Sequence, residues 1–460
     1  MRSQGPALSG NAREIALDLV HNIMENGAYA NLSLDNALRD ANLSSGDKNM
    51  VTEMVNGTVR MIKHLDWVLN LFLRKNIKGQ NPWLRNILRI GAYQILFMDR
   101  VPDYAAVNST VDLARKKTNR SLAGVCNGVL RNLVRGKDEI SYPPAPSLLY
   151  LSVYYSQPEW LIQLWLERFG AESTEKMLSW LNQRPRLSLR VNALETNPQE
   201  LSSELSRQGV TVIPGKLMPE AFIIEAMDAN IEQLSSYQAG QFYVQSETAM
   251  LAGVILAPQP GEKILDLCSG VGGKATHFAE MMKNQGTVKA VELYPHKLKI
   301  LAGNCSRLGI HIIETESTDV LSMEKSPVWQ RVFLDAPCSG LGVLNRRADA
   351  RWRKSSEEIT KLTQLQQSLL DQAGAMTAPG GILVYSTCTV NRAENENVVE
   401  SFLSCNHEFQ LDPLTNLLED LPLDQEDRDA AAQGQLTLIP GKYESDGMFY
   451  ARLRRSKSFS

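Results

Sequence analysis

The sequence lacks any run of apolar residues long enough to cross a membrane. No stretch of its 460 residues approaches the roughly 18 consecutive apolar side chains that a spanning helix needs. The first residues, Met1–Asn11, also lack the apolar core of a secretory signal peptide. We therefore expect a cytoplasmic protein without a membrane partner.

Paired cysteines are missing as well. No two of the six cysteines are spaced as in a CxxC motif, which argues against a disulfide framework and a structural zinc site. We expect no metal, and any cysteine chemistry would use single reduced thiols. The six are Cys126, Cys268, Cys305, Cys338, Cys388 and Cys405.

The composition does not have the low hydrophobicity of a disordered chain. Hydrophobic residues make up 43% and charged residues 22%, which is close to the average of globular proteins. At 460 residues the chain exceeds the roughly 250–300 residues at which one hydrophobic core stops growing. We therefore expect two or three domains.

An excess of one charge sign is also absent from the chain as a whole, since the formal net charge is −3 at pH 7. The charge is unevenly distributed, however. Residues 1–140 contain 19 Lys and Arg against 13 Asp and Glu, whereas residues 141–460 contain 29 against 38. A basic first part suggests a polyanionic partner such as a nucleic acid, although a modest excess is also typical of an ordinary solvated surface.

The first part of the chain has the apolar spacing of a helical bundle. From about residue 12 to 135, apolar side chains recur every three or four positions, as at Ile15, Leu19 and Ile23. The proline-rich segment Ser141–Pro146 cannot continue a helix. We therefore predict an all-helical domain over residues 1–140.

The remainder of the chain reads as two further domains. Residues 147–235 combine a helical stretch at 158–181 with short strand-like runs at 187–191, 209–213 and 221–224, a pattern that predicts a small α+β domain. From about residue 241, apolar strand-like runs alternate with helices, which is typical of a mostly parallel, doubly wound sheet. We place this α/β domain at residues 240–457 and predict a loop or insertion at 419–435.

A glycine-rich turn follows the first predicted strand of the α/β domain. The sequence from Asp266 to Lys274 is DLCSGVGGK, and glycines at this point let a ligand approach the backbone. The spacing of a Walker A motif is absent, which disfavours a nucleoside triphosphate. Glu292 ends the next strand, where an acidic residue can accept hydrogen bonds from both ribose hydroxyls. These two features alone leave NAD as a competing cofactor.

Two later strands each end in a cysteine. Cys338 follows Phe333-Leu-Asp335-Ala-Pro, and Cys388 follows Val384-Tyr-Ser-Thr. Because parallel strands end at one edge of a sheet, both thiols and the carboxylate of Asp335 are expected in the cleft that also holds the glycine-rich turn.

The motifs DLCSGVGGK, LDAPCSG and YSTC, with RLSLRVN at 186–192, resemble the NOL1/NOP2/Sun family of S-adenosylmethionine-dependent RNA cytosine-C5 methyltransferases. The basic helical part, with RVPDYAAVNSTVDLAR at 100–115 and NGVLR at 127–131, resembles a NusB-like RNA-binding domain. The resemblance implies a Rossmann-like class I methyltransferase domain, preceded by an all-α NusB-like domain and a small α+β domain. It also implies that S-adenosylmethionine is the cofactor.

The resemblance further implies the roles of individual residues. Cys388 is the expected nucleophile, and Cys338 is expected to assist release of the methylated product. Asp335 is expected to contact the cofactor or the cytosine, and Lys274 to orient Asp335. The residues expected to bind the cofactor are Cys268, Ser269, Gly270, Val271, Gly272, Gly273, Lys274, Glu292, Asp319 and Asp335.

The turn departs from the family's usual CAAPGGKT. Gly270 and Val271 replace alanine and proline, and Glu292 stands where aspartate is commoner. We expect an altered loop that still binds the cofactor. The alternative interpretation of Lys274 is a surface lysine that caps a helix. The alternative interpretation of Asp319 is an ordinary helix N-cap.

The partner implied by the resemblance is RNA, specifically 16S ribosomal RNA before the subunit is fully assembled, bound by a monomer. Transfer RNA stays open as a substrate, and so does a non-catalytic RNA-binding protein. A NAD-dependent dehydrogenase would leave the strand-end cysteines unexplained. The basic side chains expected to contact phosphates are Arg74, Lys75, Lys78, Arg85, Arg89, Arg115, Lys116, Lys117, Arg120, Arg131 and Arg135.

Overall fold

A computed structural model describes residues 11–227 and 230–457, apart from the side chain of Asp40. The expectation for Met1–Asn11 therefore lies outside the described residues, apart from Asn11. The chain forms two compact units. The first comprises Met1–Arg184 and Leu344–Arg353, and the second comprises Pro185–Val343 and Lys354–Ser460.

The first unit, called the helical unit below, is built from helices, and those between residues 12 and 136 share one core. Asn11 caps the first helix, and Asn81 caps the helix that begins at Pro82. Leu65, Leu88 and Leu130 are fully buried in the core. The helices are α1 (Ala12–Glu25), α2 (Ala30–Asp40), α3 (Ser45–Arg60), α4 (Ile62–Phe72), α5 (Pro82–Phe97), α6 (Asp103–Lys117), α7 (Arg120–Gly136), α8 (Leu148–Tyr154) and α9 (Glu159–Asn182).

A short segment from much later in the chain completes the helical unit. Leu344–Arg353 begins six residues after Cys338. The buried guanidinium of Arg351 donates hydrogen bonds to Oδ1 of Asn182 at 2.9 Å and to the carbonyl of Leu181 at 3.0 Å. Trp352 donates from Nε1 to the carbonyl of Val59 at 2.8 Å. The sequence pattern did not predict that this segment belongs to the helical unit.

The second unit, called the catalytic unit below, contains two sheets. The strands are β1 (Ser188–Val191), β2 (Thr211–Pro214), β3 (Ala221–Ala226), β4 (Phe242–Val244), β5 (Lys263–Leu267), β6 (Thr287–Val291), β7 (Ile313–Glu316), β8 (Trp329–Asp335), β9 (Thr377–Thr387), β10 (Phe409–Leu411), β11 (Gln435–Leu438) and β12 (Met448–Arg455). The helices after α9 are α10 (Pro198–Arg207), α11 (Ser235–Gln238), α12 (Glu247–Leu256), α13 (Gly273–Met281), α14 (Pro295–Arg307), α15 (Ala350–Arg353, in the helical unit), α16 (Ser356–Met376), α17 (Glu396–Cys405) and α18 (Gln425–Ala432).

The topology of the larger sheet places four strand ends at one edge. Its order is β10-β12-β9-β8-β5-β6-β7, with β11 paired to β12. The strands β9, β8, β5, β6 and β7 are parallel, and β12 joins β9 antiparallel. The carboxyl ends of β5, β6, β8 and β9 therefore lie side by side, which is where open α/β sheets bind ligands. The predicted fold class is confirmed.

The smaller sheet is antiparallel, with the order β2-β3-β1-β4. Its buried face includes Leu189, Phe222 and Phe242 and packs on α10 through Leu201 and Leu205. The predicted loop at 419–435 is wrong in part, because this stretch contains α18 and the first residue of β11. Alanines and early carboxylates in α18 favour a helix there.

The three predicted domains, 1–140, 147–235 and 240–457, stay a prediction. In the structure, residues 147–184 belong to the helical unit and residues 185–240 belong to the catalytic unit. Within the described residues, no helix combines the length and the apolar character that crossing a membrane requires. The same residues contain no cluster of three or more histidine, cysteine or carboxylate side chains placed to hold a metal ion.

Candidate functional site

The glycine-rich turn joins the end of β5 to the start of α13. Gly270 and Gly272 have φ angles of +60° and +87°, in the left-handed region that favours glycine. A Cβ at Gly272 would lie 2.6 Å from Cγ of Leu301, so this position excludes any side chain. A Cβ at Gly270 would meet nothing within 4 Å, so only its backbone conformation favours glycine. The replacement of the family's usual alanine and proline by Gly270 and Val271 thus leaves the turn ordered, with free space beside Gly270.

A cavity of about 320 Å³ lies against this turn. It brings together seven of the ten residues expected to bind the cofactor: Cys268, Ser269, Gly270, Val271, Gly273, Lys274 and Asp335. The cavity is also lined by Tyr243, Val244, Gln245, Ala249 and Asp266. Gly272, Glu292 and Asp319 do not line it.

Glu292 stabilises the glycine-rich turn by a hydrogen bond to its backbone. Its Oε2 accepts a hydrogen bond from the backbone N–H of Gly270 at 3.1 Å. Its Oε1 accepts from the backbone N–H of Tyr294 at 3.0 Å and from Nζ of Lys297 at 3.1 Å. A carboxylate offers about four acceptor positions, so capacity for a ribose hydroxyl is left. The ribose role stays a prediction, and bracing of the turn is an additional role.

Asp319 lies at the surface as the N-cap of a short 3-10 turn. Its Oδ1 accepts from the backbone N–H of Leu321 at 3.0 Å, and the side chain is exposed. The capping alternative considered from the sequence therefore has direct support. Contact of Asp319 with the cofactor stays a prediction.

Asp266 is a site residue that the sequence reasoning did not select. It is fully buried, and neither carboxylate oxygen has a hydrogen-bond partner within the described residues. Burial first, and then the negative charge of Asp335, raise the pKa of Asp266 well above its ordinary value, while Lys274 opposes the shift. A cationic group in the cavity would supply the missing partner. Its place at the start of DLCSG was the available sequence signal.

We predict that Asp266→Asn stabilises the free protein and weakens cofactor binding. The raised pKa means that the wild-type fold has its full stability below about pH 4, where the unfolded carboxyl is protonated, and loses stability as the pH rises toward the folded pKa. Asparagine has no such cost, so the Tm advantage of the variant should grow with pH. Thermal unfolding from pH 4 to 9 checks this, with the exposed Asp420→Asn as control. A Tm difference independent of pH would contradict it.

Lys274 and Asp335 form an ion pair at the cavity wall. Nζ of Lys274 lies 2.5 Å from Oδ2 of Asp335, and Oγ of Ser386 donates to Oδ1 of Asp335 at 3.0 Å. Asp335 ends β8 and Ser386 lies in the adjacent strand β9. The carboxylate is therefore held from two sides, while its side chain stays 34% exposed and open to a ligand.

The two predicted cysteines lie together. Sγ of Cys338 and Sγ of Cys388 are 3.3 Å apart, which is a hydrogen-bond distance between thiols and well beyond the about 2.05 Å of a disulfide bond. The hydrogen bond with Cys388, followed by enclosure in protein, raises the pKa of Cys338 well above its ordinary value. The raised pKa favours the neutral thiol of Cys338, which can donate a hydrogen bond to the sulfur of Cys388.

Cys268, the cysteine that does line the cavity, is less suited to reaction. Enclosure raises the pKa of Cys268 to about 12, with smaller contributions from Asp335 and Glu292. Cys268 is therefore a neutral thiol that lines the cavity. Of the remaining cysteines, Cys126 is buried and Cys405 is exposed, and neither lines the cavity.

The basic residues predicted to contact phosphates form two groups in the helical unit. Some pair with carboxylates of neighbouring helices, and others are exposed. Arg89 is buried and pairs with Asp66 at 2.7 Å, so it is not available to RNA, and the expectation for this residue is wrong. Arg85 pairs with Glu25 at 2.5 Å, and Lys117 with Asp18 at 2.7 Å. These cations hold helices together. Arg74, Lys75 and Lys78 are exposed.

A polar groove, called the α6–α7 groove below, runs between those two helices. It consists of two adjoining cavities of about 520 and 740 Å³ that share Asn108 and Arg131. Arg120 and Arg131 are exposed and have no hydrogen-bond or ion-pair partner among the described side chains. The groove residues with polar or small side chains are Asp103, Tyr104, Asn108, Asp112, Arg115, Arg120, Gly124, Asn127, Arg131 and Arg135.

Comparison with known proteins gives three matching family models. Residues 253–454 match "16S rRNA methyltransferase RsmB/F", residues 10–135 match the NusB family, and residues 157–230 match the ferredoxin-like domain of "Methyltr_RsmF/B-like" proteins. The chain is 32% identical over 452 residues to the probable ribosomal RNA small subunit methyltransferase B of Bacillus subtilis. That match covers 97% of this chain and 99% of the relative.

Other relatives give the same result. The probable ribosomal RNA small subunit methyltransferase B of Synechocystis is 34% identical over 449 residues, covering 97% of this chain and all of the relative. Among solved structures, the crystal structure of PH0851 superposes with a TM-score of 0.79 at 27% identity, over 98% of this chain and 100% of that one. A methyltransferase homolog protein from Pyrococcus horikoshii superposes with a TM-score of 0.57 at 26% identity, over 68% of this chain and 100% of that one.

Proposed function

Because the chain belongs to the 16S rRNA methyltransferase RsmB/F family, we propose that it methylates C5 of a cytidine in 16S ribosomal RNA. Family membership makes the chain an S-adenosylmethionine-dependent methyltransferase and removes the NAD-dependent dehydrogenase alternative. The observation that supports the choice of cytosine C5 is the 3.3 Å approach of Cys338 and Cys388, which follow the adjacent strands β8 and β9.

The residues around the cavity fit S-adenosylmethionine. Asp266 is an unpaired buried carboxyl that suits an ammonium group, and the turn exposes backbone at Gly270. Oγ of Ser269 is also buried with no hydrogen-bond partner among the described residues, and Ser269 lines the cavity. When bound, S-adenosylmethionine supplies a methyl group from its sulfonium. Asp266, Ser269 and the turn would hold the cofactor.

Cys388 is the proposed nucleophile. C5 of cytosine is a weak nucleophile until a group adds to C6, and a thiolate is the strongest protein nucleophile for that addition. The sulfur of Cys388 forms a bond to C6, and the electron pair of the C5–C6 double bond then becomes available at C5 to take the methyl group.

Cys338 is proposed to act in product release. Methylated C5 carries one proton that must leave, and the bond between C6 and Sγ of Cys388 must break. As the proton passes from C5 to water, the electron pair reforms the C5–C6 double bond and the C6–S pair returns to sulfur. The Cys338 thiol lies 3.3 Å from that sulfur and stabilises the departing thiolate by a hydrogen bond.

Asp335 is proposed to bind the polar edge of the cytosine. A carboxylate paired with the base favours protonation of the ring at N3, which makes C6 more electrophilic. Lys274 and Ser386 fix the direction of this carboxylate while leaving it open to the cavity. The target base must leave its stack to reach the site, which costs least in single-stranded or loop RNA.

We also propose that the α6–α7 groove contacts the RNA backbone. Unpaired Arg120 and Arg131 supply positive charge, and the exposed ring of Tyr104 offers a stacking surface at the same groove. Arg115 is less available because it pairs with Asp112 at 2.8 Å.

We predict that Arg120→Gln combined with Arg131→Gln weakens binding of 16S ribosomal RNA and lowers its salt dependence. Each lost phosphate contact should reduce the slope of log Kd against log salt by about one, so the pair should reduce it by about two. Fluorescence titrations between 50 and 300 mM salt check this. Arg39→Gln with Lys176→Gln, exposed cations elsewhere in the helical unit, form the control pair. An unchanged slope in the groove variant would contradict this assignment.

The substrate is tested by methyl transfer from labelled S-adenosylmethionine. Unmodified 16S ribosomal RNA and bulk transfer RNA are offered in parallel, and the modified nucleoside is identified by mass spectrometry. We expect label as 5-methylcytidine in the ribosomal RNA. Label only in transfer RNA would overturn the substrate, and cofactor binding without any label would favour a non-catalytic RNA-binding protein.

A further inference from the structure

A buried carboxylate lies between the two loops that carry Cys338 and Cys388. Glu394 belongs to a 3-10 turn, Arg392–Glu394, six residues after Cys388. Its side chain is 0% exposed and does not line the cofactor cavity. A fully buried carboxylate is costly unless hydrogen bonds satisfy it, so its partners indicate what it does.

One set of partners belongs to the Cys338 loop. The backbone N–H of Ser339 donates to Oε1 of Glu394 at 2.8 Å, and Oγ of Ser339 donates to Oε2 at 2.5 Å. Ser339 is the neighbour of Cys338 in the chain. Nε2 of Gln366 donates both to Oε1 of Glu394 at 3.1 Å and to the carbonyl of Pro337 at 2.8 Å. The carboxylate therefore contacts Ser339 directly and is linked to Pro337 through Gln366.

The other set of partners belongs to the Cys388 loop. Nδ2 of Asn391 donates to Oε2 of Glu394 at 3.3 Å, and Oγ1 of Thr389 lies 3.5 Å from the same oxygen. Thr389 also shares a hydrogen bond of 2.9 Å with Oγ of Ser339, which closes a three-membered network. The two loops thus meet at one carboxylate.

We propose that Glu394 is a positioning residue that sets the distance between Cys338 and Cys388, an inference that rests on the proposed function. Without it, the Cys338 thiol would no longer be held beside the sulfur that leaves C6. The negative charge of Glu394 also contributes to the raised pKa of Cys338 and so helps to keep its proton in place. Release of the methylated base would then slow more than attack.

The carboxylate form matters because its partners are hydrogen-bond donors. Both oxygens accept, and the donors come from a backbone N–H, a hydroxyl and two side-chain amides. The amide of a glutamine at this position has one accepting oxygen and one donating nitrogen. In either orientation of that amide, its NH₂ group faces at least one of the existing donors, so a hydrogen bond is replaced by repulsion between two donors. The volume of the side chain is unchanged.

Backbone hydrogen bonds should keep the fold of such a variant. The N–H of Gly342 donates to the carbonyl of Cys388 at 3.0 Å, and the N–H of Ala336 donates to the carbonyl of Ser386 at 2.9 Å. These bonds also join the two loops, and they do not involve the Glu394 side chain. We therefore expect Glu394→Gln to shift the two thiols relative to each other rather than to unfold the catalytic unit.

The test compares Glu394→Gln with Glu247→Gln. Glu247 is 1% exposed and accepts hydrogen bonds from the backbone N–H groups of Leu217 and Met218 at 2.7 and 2.9 Å, so it is a buried carboxylate of similar kind in the catalytic unit. For Glu394→Gln we expect kcat to fall about 100-fold, the size of loss that a displacement of about 1 Å can cause. The Kd for S-adenosylmethionine should stay within about twofold. Glu247→Gln should keep kcat.

Two further readouts separate positioning from a general loss of structure. During turnover, Glu394→Gln should accumulate a larger fraction of covalent protein–RNA adduct on a denaturing gel than the wild-type protein. Without RNA, an azodicarboxamide oxidant converts two adjacent thiols to a disulfide and is reduced to the hydrazine. The rate of Cys338–Cys388 disulfide formation should fall about tenfold in the variant, because proximity sets the effective concentration of the thiols.

The oxidation readout needs no methyl transfer, so it distinguishes failure of this inference from failure of the proposed function. Ser339→Ala is the second variant, since it removes one bond to Glu394 and keeps the backbone donor. It should show the same changes at smaller size. Disulfide formation at the wild-type rate in folded Glu394→Gln would overturn the inference. A kcat equal to that of Glu247→Gln would overturn it as well.

Discussion

The Cys388→Ala protein is expected to lose methyl transfer by at least about 10⁴-fold, the scale on which enzymes respond to removal of a covalent nucleophile. Without the thiolate no bond to C6 forms, so C5 keeps its low reactivity. The Kd for S-adenosylmethionine should be unchanged within about twofold, because Cys388 does not line the cofactor cavity. Single-turnover methyl transfer and calorimetric titration of the cofactor measure the two quantities.

The matched control for this variant is Cys305→Ala. Cys305 is a partly buried thiol whose pKa burial raises to about 11, and it lies outside the cavity in α14. Its removal should leave kcat nearly unchanged. Substantial methylation by Cys388→Ala would show that another group attacks C6, and the account given for the thiol pair would be wrong.

The Cys338→Ala protein is expected to accumulate a covalent adduct with RNA. Attack by Cys388 needs only its own sulfur, whereas departure of that sulfur from C6 is assisted by the hydrogen bond that the Cys338 thiol provides at 3.3 Å. Removing the thiol should therefore slow release more than addition. The adduct should resist denaturant and appear as a slower band on a denaturing gel.

Two comparisons decide the roles of the thiols. The double variant, Cys338→Ala with Cys388→Ala, should form no adduct, because the nucleophile is missing. Cys338→Ser provides a shorter side chain that still donates a hydrogen bond, and it should form less adduct than Cys338→Ala. Normal turnover by Cys338→Ala, without trapped RNA, would refute the assignment of product release to this residue.

Local patterns in the sequence were sufficient to predict the part of the fold that holds the site. The apolar run at 263–267 coincides with β5, the run at 287–291 coincides with β6, and the turn between β5 and α13 is where the glycines indicated. Both strand-end cysteines meet as expected, because parallel strands end at one edge of a sheet.

Contacts between distant parts of the chain could not be predicted in the same way. The segment Leu344–Arg353 follows the Cys338 loop in the chain but folds with the helices. Its Arg351 donates hydrogen bonds to Leu181 and Asn182, which lie more than 160 residues earlier. Nothing in the local pattern distinguishes a solvated arginine from one that finds a buried partner. The same limit applied to Arg89, whose role depends on Asp66 in another helix.

The two buried carboxylates of the site illustrate the limit most clearly. Asp266 and Glu394 are both fully buried. In the part of the chain that the structure describes, Asp266 has no hydrogen-bond partner, whereas Glu394 accepts from donors in two loops. Sequence spacing placed Asp266 beside a ligand-binding turn without indicating that its charge is unsatisfied. The sequence spacing did not indicate that Glu394 contacts Ser339, which follows Cys338 and lies far from Glu394 in the chain.

The most direct test of the central claim is the intact mass of the wild-type protein after reaction with 16S ribosomal RNA containing 5-fluorocytidine. Fluorine at C5 cannot leave as a proton does, so the bond between C6 and the enzyme should persist after methyl transfer. Nuclease digestion followed by peptide mass spectrometry should place the methylated nucleotide on Cys388. An adduct on Cys338, or methylated RNA without any adduct, would contradict the account.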